Sequence, residues 1–127
     1  MTTQHALVTG GAGFIGSHVA DALLADGWSV TVLDNLSSGK RDQVPAGARL
    51  VEADIRSPEA AALIRDGGFD LVCHLAAQID VRKSVADPSF DVDVNIRGSL
   101  NLIEAVRATG RRTRFIFAST GGAVYGD

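Results

Sequence analysis

The stretch Thr9-Gly10-Gly11-Ala12-Gly13-Phe14-Ile15-Gly16 constrains this chain more than any other. An apolar run, Ala6-Leu7-Val8, precedes it, and an amphipathic segment from Ser17 to Asp26 follows, so the order reads strand, glycine-rich turn, helix. Glycines permit the tight turn, let backbone approach a ligand, and let the helix lie close on its strand. The N-terminus of such a helix presents free N–H groups and a positive dipole end, which suits a pyrophosphate. Two spacings fit: Gly11, Gly13 and Gly16 give G-x-G-x-x-G, and Gly10, Gly13 and Gly16 give G-x-x-G-x-x-G. A plain strand–helix turn also accommodates glycines, but here the flanks required of a dinucleotide-binding turn are present on both sides.

Composition sets outer bounds. The 127 residues suffice for one domain of ordinary size, and 46% of them are hydrophobic, enough for a buried core. A net charge of −3 without a basic stripe gives no reason to expect nucleic acid as a partner. No apolar run is long enough to span a bilayer, and Met1-Thr2-Thr3-Gln4-His5 lacks the pattern of a signal peptide, so no membrane partner is expected. The single cysteine, Cys73, lies inside an apolar run and reads as a buried, inert thiol of a cytoplasmic protein. No metal site is expected.

Strand and helix signals alternate along the chain. Val19, Leu23 and Leu24 continue the helical spacing begun by Phe14 and Ile15, and Gly27 ends that helix, with Trp28 as a packing residue beyond it. Ser29 to Leu33 is a β-branched second strand that ends at Asp34. Asp34 stands 18 residues after Gly16, close to the spacing of the acid that binds the adenosine ribose. A carboxylate there accepts hydrogen bonds from both ribose hydroxyls and repels the 2′-phosphate of NADP, which points to NAD; a capping or loop aspartate is the plainer alternative. In the polar loop that follows, Lys40 and Arg41 read either as phosphate contacts or as a solvated charge pair. Leu50 to Ala53 is a third strand, and Asp54 at its exit is placed to meet an adenine amino group.

Ser57-Pro58-Glu59 is a helix start, with Ser as N-cap, Pro at the first position and an acid in the first turn; Gly67-Gly68 ends that helix. Asp70 to Ala77 is the fourth strand and its exit. His74 within it reads as a satisfied strand residue rather than a catalyst, and the small pair Ala76-Ala77 would let backbone lie against a flat ligand. The alternation of Phe90, Val92, Val94 and Ile96 suggests a strand, but the spacing of Leu100, Leu102, Ile103 and Val106 and the need for a crossover favour one helix from about 88 to 108. Arg114 to Ser119 is the fifth strand. An uncovered edge there carrying Phe115 and Phe117 would be an association liability.

Taken together, Thr9 to Gly16, Leu33 to Gly39, Asp54-Ile55, His74-Leu75-Ala76-Ala77-Gln78 and Ala118 to Gly126 resemble the extended short-chain dehydrogenase/reductase family, in particular its nucleotide-sugar epimerases of the UDP-glucose 4-epimerase type. The resemblance covers essentially the whole chain. It implies an α/β fold: a Rossmann-like, doubly wound parallel sheet of about five strands spanning residues 1–127 as an NAD-binding domain, the N-terminal part of a longer enzyme whose substrate-binding part lies outside this sequence. It implies that Phe14 and Ile15 place backbone on the pyrophosphate, and that Asp34, Asn35, Ser37, Ser38 and Gly39 surround the ribose. Asp54 and Ile55 would flank the adenine, and Leu75, Ala76, Ala77 and Gln78 the nicotinamide. Asn95 resembles the family's helix asparagine. Thr120 or Ser119 resembles the catalytic hydroxyl that bonds the sugar O4. A UDP-sugar substrate and a homodimer in the full-length enzyme are also implied, the dimer formed through helices that include the one from 88 to 108.

In enzymes of this kind a tyrosine, with a lysine four residues later, deprotonates the sugar 4-hydroxyl while NAD takes the C4 hydride, and the 4-keto sugar turns over before the hydride returns to its other face. This sequence departs from that pattern in two places. Gly121 stands where many relatives carry a hydroxyl four residues before the Val-Tyr-Gly tyrosine, here Tyr125. Tyr125 is the only tyrosine, and it belongs to that motif rather than to a Tyr-x-x-x-Lys base. The chain alone is therefore expected to bind NAD weakly at best and not to epimerise. Rival readings are a nucleotide-sugar 4,6-dehydratase, disfavoured by Gly121-Gly122 where acidic residues would follow the threonine, a decarboxylase, and a non-catalytic NAD-binding regulatory module.

Overall fold

Short runs rich in β-branched and aliphatic residues form parallel strands because both faces of each are covered. The computed structural model describes residues 3–37, 39–76, 89 and 93–118. Its strands and helices run β1 (His5–Thr9), α1 (Phe14–Ala25), β2 (Ser29–Asp34), β3 (Arg49–Glu52), α2 (Pro58–Gly67), β4 (Leu71–His74), α3 (Gly98–Thr109) and β5 (Arg114–Phe117). A 3-10 turn, Arg41–Gln43, precedes β3, and a π-helical turn, Asp93–Arg97, precedes α3. The sheet order is β3-β2-β1-β4-β5, with every pairing parallel. After β3 the chain crosses to the other side of β1 to lay down β4. The ends of β1 and β4 therefore frame the switch point where open α/β sheets bind ligands.

Alternate strand residues feed two cores. Leu7, Leu33 and Val72 pack with Ala60 and Ile64 of α2 and Leu102 and Ala105 of α3. Val8, Val30, Val32 and Cys73 face the other way, onto Ala20 of α1, with Val19, Leu23 and Trp28 at the margin. Helices on both faces make this the doubly wound arrangement expected. Cys73 is buried and free, and burial pushes its thiol pKa up, as an inert thiol requires.

Local signals explain the element ends. Gly27 has φ +90°; its N–H donates to Leu24 O at 3.1 Å and the Trp28 N–H to Leu23 O at 3.0 Å, the paired bonds of a Schellman stop. Ser57 Oγ accepts the Ala60 N–H at 3.2 Å, with Pro58 in the first position of α2. Gly68 and Gly110 close α2 and α3 in the left-handed region.

Four expectations need correction. The first helix includes Phe14 and Ile15, as their spacing suggested, but the two side chains are 72% and 68% exposed and do not pack with Val19, Leu23 and Leu24. They occupy the first turn of α1, directly after the glycine loop. The proposed helix from 88 to 108 is not uniform where described: it is π-helical over Asp93–Arg97 before α3 begins. Ser99 Oγ donates to Asn95 O at 2.7 Å, a back-bond that competes with the regular helix ladder. The fifth strand, expected from 114 to 119, spans Arg114–Phe117 among the described residues, and Ser119 lies outside them. Phe115 packs against the core while Ile116 and Phe117 are exposed, so the apolar edge is not the Phe115–Phe117 pair. Among the described residues, no helix is long and apolar enough to cross a membrane.

Candidate dinucleotide site

The glycine loop is folded against its own backbone. Gly10 has φ +73°, and a Cβ there would meet Ala76 N at 2.9 Å. A Cβ on Gly16 would fall inside the carbonyl of Gly10, so α1 can approach the loop only with glycine at this position. Gly13 differs: its conformation is extended, and the nearest atom to a Cβ would be Gly10 O at 3.4 Å, an ordinary contact. No protein atom demands glycine there. The open space at Gly13, at the N-terminus of α1, is what a pyrophosphate lying on the loop would use.

Asp34 holds the loop from the next strand. It is the last residue of β2 and is buried. Its Oδ2 accepts the Ala12 N–H at 3.0 Å, and its Oδ1 accepts the Leu36 N–H at 2.7 Å. These bonds use one acceptor direction on each oxygen, and a carboxylate offers about four in all. The second bond turns the chain so tightly that Leu36 sits at φ +61°, a conformation a non-glycine residue adopts at a cost of about 1 kcal/mol. Asn35 repeats the pattern, its Oδ1 accepting the Ser37 N–H at 3.0 Å. The loop then returns to the glycines: Lys40 N donates to Ala12 O at 3.1 Å, and Gly39 lies against the Ala12 carbonyl. Arg41 pairs with Glu52 at 2.6 Å on the surface, which favours the solvated-pair reading over a phosphate contact.

At the exit of β3 the two predicted adenine neighbours have different roles. The Asp54 carboxylate takes a fork from Arg56, Nε to Oδ1 at 2.9 Å and Nη2 to Oδ2 at 2.7 Å, and Arg56 reaches on to Asp93. The hydrogen bonds from Arg56 hold the Asp54 carboxyl below its usual range. The Ile55 side chain is buried in the α2–α3 core against Gly98, so only its backbone remains to flank a base.

On the other side of β1, Thr9 and His74 are register partners. Thr9 Oγ1 lies 2.6 Å from His74 Nδ1 and accepts the N–H groups of Leu75 and Ala76 at 3.0 and 3.1 Å. His74 Nε2 lies 2.9 Å from Ser99 Oγ, whose proton goes to Asn95 O. Burial lowers the His74 pKa to about 4, so the ring is neutral. This is the satisfied strand residue expected.

The structure thus gathers Gly10, Gly13, Phe14, Ile15, Gly16, Asp34, Asn35, Ser37, Gly39, Leu75 and Ala76 at the carboxyl ends of β1, β2 and β4. Asp54 lies at the exit of β3 and Asn95 in the π-turn. Ser38, Ala77, Gln78, Ser119 and Thr120 lie outside the described residues. Sequence reading passed over Thr9, Arg56 and Ser99. The four-residue spacing of Ser99 from Asn95 and the Asp-x-Arg order at Asp54 were the available signals.

A parallel sheet carrying a glycine loop at its switch point and a carboxylate at the end of the neighbouring strand defines a dinucleotide-binding α/β domain. Residues 6–127 match the family model described as the NAD dependent epimerase/dehydratase family, and the chain belongs to that family. It is 45% identical over 125 residues to a UDP-glucose 4-epimerase of Mycolicibacterium smegmatis, a match covering 94% of this chain and 40% of that one. Among solved structures, it resembles the UDP-glucose 4-epimerase of Thermus thermophilus in complex with NAD, with TM-score 0.86 and 49% identity over 93% of this chain and 38% of the other. The Thermotoga maritima enzyme with UDP-glucose gives TM-score 0.88 and 47% identity over 94% and 39%. The chain therefore spans about two-fifths of the length of these relatives.

Proposed function

We propose that this chain is the NAD-binding portion of a nucleotide-sugar 4-epimerase acting on UDP-glucose and UDP-galactose. The observation that carries the reading is the uncrowded Gly13 in a glycine loop that Asp34 fastens at Ala12 and that lies against Ala76 at Gly10. The amides of the first turn of α1 would bind the pyrophosphate, and Asp34 with the Asn35–Gly39 loop would hold the ribose. Asp54 and the backbone of Ile55 would meet the adenine; Leu75 and Ala76, with Ala77 and Gln78, would line the nicotinamide. When bound, NAD supplies the acceptor and donor for the hydride at sugar C4. Thr120, or Ser119, would hydrogen-bond the sugar O4. The sugar pocket and the tyrosine–lysine base would belong to the part of the relatives' length that this chain does not match.

Ile96, Leu100 and Ile103 are exposed along one side of the π-turn and α3. We assign that stripe to a second copy of the protein, in a cytoplasmic homodimer. Amide chemical shifts on titration with NAD test the site. They should move at Ala12 to Phe14, Asp34 to Gly39 and Leu75-Ala76; movement confined to the amino ends of the strands would contradict it. For the reaction, UDP-galactose supplied to the protein containing this chain should yield UDP-glucose, whereas a 4-keto-6-deoxy product would favour a dehydratase. Residues 1–127 alone should give no turnover.

A further inference from the structure

We propose that His74 is a positioning residue that ties the backbone lining the nicotinamide end of the crevice to the turn carrying Asn95. The proposal rests on the cofactor reading above and extends it to residues that touch no ligand. His74 is 2% exposed, the last residue of β4, with its ring set at 6.0 and 5.6 Å from the rings of Phe115 and Phe117.

The hydrogen-bond directions follow from the partners. Ser99 has one hydroxyl proton, and it points to Asn95 O at 2.7 Å. Ser99 Oγ must therefore accept from His74 Nε2–H. The ring is neutral, so Nδ1 is an acceptor and receives the Thr9 hydroxyl proton. The lone pairs of Thr9 Oγ1 are then free to accept the N–H groups of Leu75 and Ala76. Each group has one role, and the assignment closes without an unpaired atom. Three segments are joined through one imidazole: the end of β1 at the entry to the glycine loop, the exit of β4, and the π-turn.

The connection fixes a distance that packing alone would leave adjustable. Ala76 N is pinned by Thr9 and already lies against Gly10, so the exit of β4 has little freedom on that side. The π-turn is tied to the sheet from two sides, by Arg56 on Asp93 and by the Ser99 back-bond with the imidazole, and such turns are sites of helix irregularity. Breaking the relay at Ser99 releases the turn while leaving the Thr9–His74 anchor intact.

A purely structural histidine and a positioning one differ in what they protect. If the relay only stabilises the sheet, its loss weakens every ligand of the crevice alike. If it sets the nicotinamide end, NAD suffers and ADP-ribose, which lacks that ring, does not. Calorimetric titrations of the full chain with NAD and with ADP-ribose decide between them. Ser99→Ala and Thr9→Val should each weaken NAD about fivefold, the scale of one net hydrogen bond, and leave ADP-ribose within about twofold. Thr9→Ser, which keeps the hydroxyl, should restore NAD binding. Equal losses for both ligands, or no loss for either, would overturn the proposal. Should Thr9→Val fail to fold, Ser99→Ala decides by itself, since Ser99 is only half-buried on α3. Wild-type chain that binds neither ligand would instead overturn the cofactor reading, and the proposal with it.

Discussion

The Asp34 carboxylate accepts the backbone N–H of Ala12 at 3.0 Å, so the residue expected to hold the ribose also fastens the glycine loop. The bonds to Ala12 and Leu36 leave further acceptor directions on the carboxylate for the ribose proposed there. Asp34→Ala should therefore lower stability as well as affinity. Removing the partner of a buried N–H costs about 1–3 kcal/mol, read in urea unfolding, and calorimetry should find NAD binding weakened at least about tenfold. Losing the negative charge should also narrow the preference for NAD over NADP. An unchanged preference would contradict the assignment of Asp34 to the ribose.

Gly13 and Gly16 should separate binding from folding. A Cβ at Gly16 collides with the Gly10 carbonyl, whereas one at Gly13 meets only an ordinary contact. Gly16→Ala is expected to cost several kcal/mol, about 3 or more, as a backbone collision does. Gly13→Ala should shift stability by less than about 1 kcal/mol, yet weaken NAD because its methyl group occupies the ligand's space. Thermal melts paired with NAD titrations check both. A Gly13→Ala variant with native affinity would place the dinucleotide elsewhere.

Stability should fall on mild acidification because of His74. Its ordinary value is 6.5, and burial lowers it to about 4 in the native chain. Between those values the unfolded chain holds a proton that the native chain does not, so stability declines as pH drops through that window and is fully present above it. The decline should amount to at most about 3 kcal/mol. Asp54 acts in a lower range: Arg56 keeps its folded value below 3.8, so its contribution is lost only as pH falls further. Urea unfolding at pH 7 and pH 4.5 should show a smaller difference for His74→Gln than for wild type. Equal differences would remove His74 as the cause.

Arg56 forks onto Asp54 and reaches Asp93, joining the exit of β3 to the turn before α3. These side chains are about one-third exposed, so the network is screened and each link contributes about 1 kcal/mol or less. Arg56→Met should destabilise by about 1–2 kcal/mol at low salt, with the difference shrinking at high salt. A loss independent of salt would mean that packing of the arginine stem, rather than charge, holds the two segments.

Much of the sheet was legible in the sequence, because the strands alternate between two apolar cores and their ends carry glycine, proline and serine signals that act locally. Ser57-Pro58 and Gly27 each fixed a helix end through its own hydrogen bonds. The place of Asp34 at the end of β2 was legible for a similar reason, since one helix and one strand separate it from Gly16. What periodicity could not show were contacts made across the fold. The family resemblance implied Ile55 as an adenine neighbour, yet Gly98 opens a space for its side chain in the α3 core. Phe14 and Ile15 keep helical spacing, yet both are exposed in the first turn of α1. The π-turn depends on Ser99 bonding back to Asn95, and the His74 relay depends on register between strands 65 residues apart. The first leaves only the four-residue spacing of Ser99 from Asn95 as a local mark, and the second leaves none.

The most direct test of the account is calorimetric titration of the chain with NAD, with NADP alongside. The predicted result is weak but saturable binding of one NAD per chain and still weaker binding of NADP. A folded chain that takes up no NAD, or that binds NADP more tightly, would contradict the assignment of the β1–β2–β4 crevice to this cofactor.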